Sequence, residues 1–223
     1  SMGLKISITS NGALVAPHID LLVENKVNAL YLSFETGAIG HSNESLIVDL
    51  ARSIDKRKKE LQSSTPAVHL SMVVTRNNIK DLERVTEVLR GIGISTVFMS
   101  NLLPSSDKHE RLTLYPNPEP DEIKNFKNCL LQNVLLEKTR CTAPKFEILT
   151  ERFCEFVEQD AMVIRWDGEI APCYRFLHSG SEFVQGRHKE IKSCTFGNVQ
   201  EASLLEIWND RNYAWFRFLV HHS

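Results

Sequence analysis

Cys154, Gly168 and Cys173 stand at the spacing C-x13-G-x4-C, around the run Trp166-Asp167-Gly168-Glu169-Ile170-Ala171-Pro172-Cys173-Tyr174. The Asp-Gly pair is a turn signal that folds two short β segments, 161–164 and 169–173, into a hairpin. A thiolate just after such a hairpin can face one just before it. Iron–sulfur clusters need thiolates that converge from separate segments, with backbone N–H groups nearby to stabilise the negative charge. By spacing alone two readings stay open: a pair of cluster ligands, or two small residues of a packed interior.

The other cysteines carry less. Five in all (Cys129, Cys141, Cys154, Cys173, Cys194) form an odd set with no CxxC pair, which argues against a disulfide framework in a chain this long. Cys129 and Cys141 lie on or just after an amphipathic stretch and read as packing residues. Cys194 could be a ligand, but its spacing from Cys173 matches no signature. His178 and His188 lack paired metal-ligand spacing, and Arg187 with Lys189 reads as a solvated face. Trp208, Trp215, Phe216 and Phe218 recur at helical spacing and are expected in a core.

The elements that must position these groups differ along the chain. Strand-like runs at 4–10, 29–34, 67–75 and 94–100 alternate with helical patterns at 17–25, 44–61 and 78–90, the last with Ile79, Leu82, Val85 and Leu89 facing inward. Such alternation means βα units and a parallel sheet, whose functional groups gather at the C-terminal strand ends. Those ends carry Asn11, Ser33, Glu35, Arg76 and Asn101, each also explicable as turn or cap chemistry. A polar, proline-punctuated loop spans 104–120, a helix is expected over 119–140, and a connector or short strand over 143–149. The pattern changes near 141–150, so the chain divides into residues 1–145 and 146–223. In the second part the hairpin is followed by an irregular polar stretch, 176–195, and short helices at 203–209 and 213–220.

Composition restricts the function classes. Hydrophobic residues make up 42% and charged residues 24% of 223 residues, ordinary for a globular chain. A net charge of -2 gives no electrostatic footprint for nucleic acid or an acidic membrane surface. No apolar run reaches the roughly 18–20 residues of a membrane span. The first ten residues lack a secretory signal pattern, which leaves a cytoplasmic setting as the expectation.

Beyond the hairpin, Phe196-Gly197-Asn198-Val199, Ser203-Leu204-x-Glu206-Ile207-Trp208 and Tyr213-x-x-Phe216-Arg217 follow in order. With C-x13-G-x4-C, this series resembles the opening of the SPASM domain of radical SAM enzymes. Upstream, Ser10-Asn11-Gly12, Leu32-Ser33-Phe34-Glu35 and Ser100-Asn101-Leu102-Leu103-Pro104 resemble strand ends of the later radical SAM barrel. The hairpin run, Gly186-Arg187-x-Lys189 and the 100–104 segment are together most similar to the maturases of tungsten-cofactor oxidoreductases. The resemblance implies an α/β fold: a partial parallel (β/α) radical SAM-type barrel followed by a small α+β SPASM-like extension. It implies [4Fe–4S] clusters and S-adenosylmethionine in the intact parent, a 5′-deoxyadenosyl radical acting on a peptide or protein substrate, and an electron donor such as ferredoxin or flavodoxin. It implies S-adenosylmethionine contacts from Asn11, Ser33 and Asn101, with Glu35 and Arg76 as further candidates, and cluster ligation by Cys154 and Cys173.

The chain departs from that family in two ways. The C-x3-C-x2-C run that holds the SAM-cleaving cluster is absent from these residues, and so are the later SPASM cysteines. The chain opens directly into a core-quality strand and stops straight after an amphipathic helix. The expectation is a fragment that cleaves no S-adenosylmethionine by itself and is prone to association through its exposed first strand. The rival from another class is a non-catalytic protein-binding module on a degenerate barrel scaffold; a non-iron enzyme using Glu35 or His69 has no support in the spacing.

Overall fold

The computed structural model describes residues 3–36, 42–82, 85, 88–89, 91–114, 121, 124, 126, 140–142, 144, 154–184 and 186–222. It divides into two compact units, Ser1–Leu102 with Leu112–Ile148, and Leu103–Arg111 with Leu149–Ser223.

The first unit is built on a five-stranded sheet in sequential order, β1 (Ser7–Ser10), β2 (Ala29–Ser33), β3 (Ala67–Val74), β4 (Ile94–Asn101) and β5 (Arg140–Thr142), with every neighbouring pair parallel. Sequential parallel strands require crossovers, and α1 (Ile19–Glu24) and α2 (Glu44–Glu60) occupy the first two. In α2 the residues Ile47, Val48, Leu50, Ala51 and Ile54 recur at helical spacing and are all buried. Arg57, Lys58 and Lys59 fill the last turn, where positive charge complements the helix dipole. Gln62, at φ +51°, ends the run.

Alternation within the strands sorts the two faces of the sheet. Leu30 and Leu32 of β2, Leu70 and Met72 of β3, and Val97 and Met99 of β4 join the helices in one core. The expected inward residues Ile79, Leu82, Val85 and Leu89 are buried in that core too. The structure differs from the sequence expectation at three places here. Residues 4 to 6 precede the strand, with Leu4 and Ile6 exposed. A single 3₁₀ turn, Ile79–Asp81, opens the expected helix. Arg140 opens β5 instead of closing a helix, because Cys141 packs on the core while Arg140–Thr142 pairs with Thr96, Val97 and Phe98. The rest of the expected 119–140 helix and most of 143–149 lie outside the described residues, as does Cys129.

The second unit has a different economy. α3 (Asp107–Glu110) is capped by Ser106, which accepts from the His109 N–H. α4 (Glu155–Glu158) follows Cys154, and β6 (Val163–Ile164) pairs antiparallel with β7 (Ile170–Ala171) as the Asp-Gly signal predicts. The stretch 176–195 is not irregular. It holds an antiparallel hairpin, β8 (Gly180–Val184) and β9 (Arg187–Ile191), turned at Gly186 with φ +69°. Its strands read as polar because their side chains are mostly solvated, so apolar alternation, the usual strand signal, is missing. α5 (Leu204–Trp208) starts in a capping box between Ser203 and Glu206. α6 (Arg211–His221) starts at Asp210, which accepts from the Asn212 and Tyr213 N–H groups. The buried core of this unit is small: Ile170, Ile207 and Tyr213, flanked by Met162, Phe196, Ala202, Trp208 and Phe216. Trp215 and Phe218 are instead 58% and 51% exposed, stacked on each other outside that core.

Candidate cofactor and cluster sites

Parallel pairing brings the expected residues of the first unit to one edge. Asn11 follows the last residue of β1, Ser33 ends β2, Glu35 lies just beyond it, and Asn101 ends β4 opposite Val74 of β3, two residues before Arg76. All five therefore stand at the C-terminal edge of the sheet.

A residue that sequence reading passed over holds that edge together. Asn43, the N-terminal cap of α2, donates through Nδ2 to the Ser33 carbonyl at 2.8 Å and the Asn11 carbonyl at 3.4 Å. Its Oδ1 accepts from the Glu35 N–H at 2.8 Å. Asn78 does the same service for β3: its Oδ1 accepts from the Thr75 N–H at 2.8 Å and its Nδ2 donates to the Val73 carbonyl at 2.9 Å. The Arg76 N–H is bound by the Leu112 carbonyl at 3.0 Å. Among the candidates, Asn11 uses its Oδ1 locally, accepting from the Ala13 N–H at 3.1 Å, while Glu35 is solvent-exposed. An Asn directly before the helical run that starts at Glu44 could have flagged a cap; its long-range partners were not visible in the sequence.

Below this edge, the sheet face opposite the helices carries Tyr31, Ser33, His69, Ser71 and Phe98, all half-buried. Tyr31 stacks on His69 with centroids 4.8 Å apart, and Phe98 meets both at 5.6 and 5.7 Å. Burial pushes the His69 imidazole below its ordinary pKa, and its Nδ1 has no hydrogen-bond partner among the described residues. The result is an aromatic floor with a neutral, unspent imidazole under a polar rim. Each of its residues is unremarkable in sequence; only the register places them side by side.

The cysteines of the second unit sit at two helical starts. Cys154 precedes α4, and Cys173 precedes the 3₁₀ turn Tyr174–Phe176. Both are free and half-buried. The rings of Phe156 and Tyr174 meet edge-to-face at 5.1 Å, which draws the two starts together. Cys194 is tied to the second of these starts, because its N–H donates to the Phe176 carbonyl at 3.0 Å while the Phe176 N–H donates to the Cys173 carbonyl at 3.1 Å. Burial raises the Cys194 thiol pKa. Among the described residues no three His, Cys, Asp or Glu side chains converge on one point.

Polar contacts lock the hairpin between them. Arg165 grips Asp167 through two hydrogen bonds, at 2.7 and 2.6 Å, and reaches the Leu177 carbonyl at 3.0 Å. The guanidinium holds the Asp167 carboxyl below the usual carboxylate range. Segment 196–199 returns as a third ribbon: Ile170 N–H to Gly197 carbonyl at 2.8 Å, Phe196 N–H to Ile170 carbonyl at 2.9 Å, and Val199 N–H to Gly168 carbonyl at 2.9 Å. Gly168, at φ +89°, is obligatory twice over, since a Cβ there would stand 2.5 Å from Asn198 Oδ1. His178 and His188 are solvent-exposed.

Comparison with known proteins gives these sites a context. Residues 154–223 match the SPASM model, an iron–sulfur cluster-binding domain. The chain is 33% identical over 227 residues to the tungsten-containing aldehyde ferredoxin oxidoreductase cofactor-modifying protein of Pyrococcus furiosus, a match covering 98% of this chain and 63% of that protein. In fold it is similar to Streptococcus suis SuiB bound to S-adenosylmethionine, with TM-score 0.62 at 16% identity over 96% of this chain and 50% of that one. It is similar also to native anSMEcpe with bound AdoMet and Cp18Cys peptide, with TM-score 0.58 at 16% identity over 97% and 60%. The chain thus spans about half to two-thirds of the length of these relatives. A parallel sheet with its polar groups at one edge is thus followed by a cysteine-bearing segment, residues 154–223, that matches the SPASM iron–sulfur cluster-binding domain.

Proposed function

We infer that this chain forms the later barrel strands and the first cluster-binding half of a radical SAM maturase acting on a peptide or protein, in the service of a tungsten-containing oxidoreductase. The observation that carries the reading is the 33% identity over nearly the whole chain to a cofactor-modifying protein of that system. The residues fit the implied groups. Cys154 and Cys173 are free thiols at two helical starts that the Phe156–Tyr174 ring contact joins. When bound, the iron–sulfur clusters and S-adenosylmethionine supply one-electron chemistry that amino acids lack.

The chain's own residues do the positioning. Asn11, Ser33, Asn101, Glu35 and Arg76 present polar groups to S-adenosylmethionine from one sheet edge, and Asn43 fixes the spacing of the first two strand ends. Tyr31, His69 and Phe98 narrow the floor beneath and exclude water there. Cys154 and Cys173 hold one side of the auxiliary cluster. A ferredoxin or flavodoxin is the electron donor, and the substrate is a peptide or protein segment.

Anaerobic reconstitution of the full-length protein tests this. Iron and acid-labile sulfide should fall by about one cluster's worth in Cys154→Ala and Cys173→Ala, and the wild type should form 5′-deoxyadenosine. Unchanged iron in both variants would remove the cluster assignment. The 223 residues alone are expected to form no 5′-deoxyadenosine; turnover by them would defeat that expectation.

A further inference from the structure

The β8–β9 hairpin has two outer edges, and they differ. The Phe183 N–H donates to the Pro104 carbonyl at 2.8 Å, so it points away from β9, and Phe183 with His188 is a pair that exchanges no hydrogen bonds. Alternation then turns the backbone N–H and carbonyl of His188 outward on the far side. Those of Glu190, which lies opposite Ser181, turn outward with them. Pro104 thus caps the β8 edge. Along β9 the outward groups of His188 and Glu190 meet no backbone partner among the described residues.

This open edge is held still and is basic. At the turn, the Gly186 N–H donates to both Glu110 carboxylate oxygens, at 3.0 and 3.2 Å. At the base, the Ser193 N–H donates to Ser179 Oγ at 3.1 Å. A pre-ordered edge lowers the ordering cost of taking on another segment. Residues 187–192 hold Arg187, Lys189 and Lys192 against one acid, Glu190, all of them exposed, in a chain whose net charge is -2. Arg187, Lys189 and Lys192 form no ion pair among the described residues, while Glu182, across from Lys189, is spent on Arg175 at 2.8 and 2.6 Å. Arg187 and Lys189 stand two residues apart and so share one face of the strand.

An unpaired strand edge takes up a further strand, and side chains set side by side decide which one. Like charges oppose pairing with a second copy through this edge. A strand with carboxylates at alternate positions sets them beside Arg187 and Lys189. We propose that the outer edge of β9 is a docking site for an extended acidic segment of a partner protein, which adds to the hairpin as a third strand. A polypeptide fits better than another polyanion, because evenly spaced N–H and carbonyl groups find their complement in a second backbone. The site uses none of the residues assigned to S-adenosylmethionine or to the cluster, so it stands or falls apart from those readings.

The test is fluorescence anisotropy at low salt, with the full-length protein and a short labelled peptide carrying glutamate at alternate positions and threonine or valine between. The double variant Arg187→Gln/Lys189→Gln should weaken binding by about tenfold. N-methylation of one alternate set of peptide amides, which leaves every charge in place, should abolish binding, while methylation of the other set is tolerated. Hydrogen exchange at the His188 and Glu190 amides follows solvent access at that edge, and it should slow when the peptide is added. If circular dichroism shows the double variant to be misfolded, the two methylated peptides decide on the wild type alone. Equal effects of the two methylations would overturn the proposal. So would equal binding of a peptide with lysine in place of glutamate, equal binding of oligothymidylate, or no binding of the acidic peptide.

Discussion

The sheet unit and the SPASM unit solve the same problem, holding polar groups in place, with opposite means. Around the sheet, a continuous apolar core runs from Leu22 through Leu70 to Phe126. The polar edge is a by-product of strands that would be stable without it. In the SPASM unit the core cluster among the described residues is only Ile170, Ile207 and Tyr213, and position comes from the Arg165–Asp167 grip, the Ser203–Glu206 box, the Asp210 cap and the returning 196–199 ribbon. A large core tolerates the loss of any one polar contact. A small one depends on most of them.

Four substitutions and one titration would break or sharpen that contrast. Leu70→Ala, at the fully buried centre of β3, should cost about 3–4 kcal/mol in chemical denaturation. A loss under about 1 kcal/mol would mean the sheet core is not the source of stability. Gly168→Ala should cost about 2–3 kcal/mol and lower iron retention, because it adds strain at φ +89° to the collision with Asn198. Gly186→Ala, at φ +69° with open space around it, should cost only about 1 kcal/mol; equal effects would show that the collision is immaterial. Asn43→Ala should cost about 1–2 kcal/mol in the same assay, because it removes the side chain that bridges the Ser33 and Asn11 carbonyls and the Glu35 N–H.

The smallest effect is one of pH. Asp167 and Glu206 have carboxyls depressed in the folded state, by Arg165 and Ser203 respectively. A depressed carboxylate contributes stability above its unfolded pKa and loses it as the pH falls through the folded value. Melting temperature should accordingly be flat near neutrality and fall below the ordinary carboxylate range, with Asp167→Asn showing a shallower fall. Identical acid profiles for variant and wild type would deny the Arg165–Asp167 pair its role.

Legibility in the sequence followed the physics of each unit. The parallel sheet was readable because buried strands and amphipathic helices write long apolar periods, as in β3 and α2. The Asp-Gly hairpin was readable because only a few residue pairs accept its backbone. The β8–β9 hairpin was not, since both its faces are largely solvated and Glu182, Lys189 and Glu190 look like loop. The aromatic floor of Tyr31, His69 and Phe98 was invisible for another reason: it exists only in the register between strands 38 and 29 residues apart along the chain. The exposure of Trp215 and Phe218 marks a further limit, because helical spacing says which residues share a face and not which face is covered.

The β8–β9 hairpin leaves and rejoins the chain at almost one point, where the Cys194 N–H meets the Phe176 carbonyl and the Ser193 N–H meets Ser179 Oγ. An excursion whose two feet are stitched together can grow, shrink or be exchanged at little entropic expense. A change in its outline would thereby leave Cys173 and Cys194 at its base where they stand.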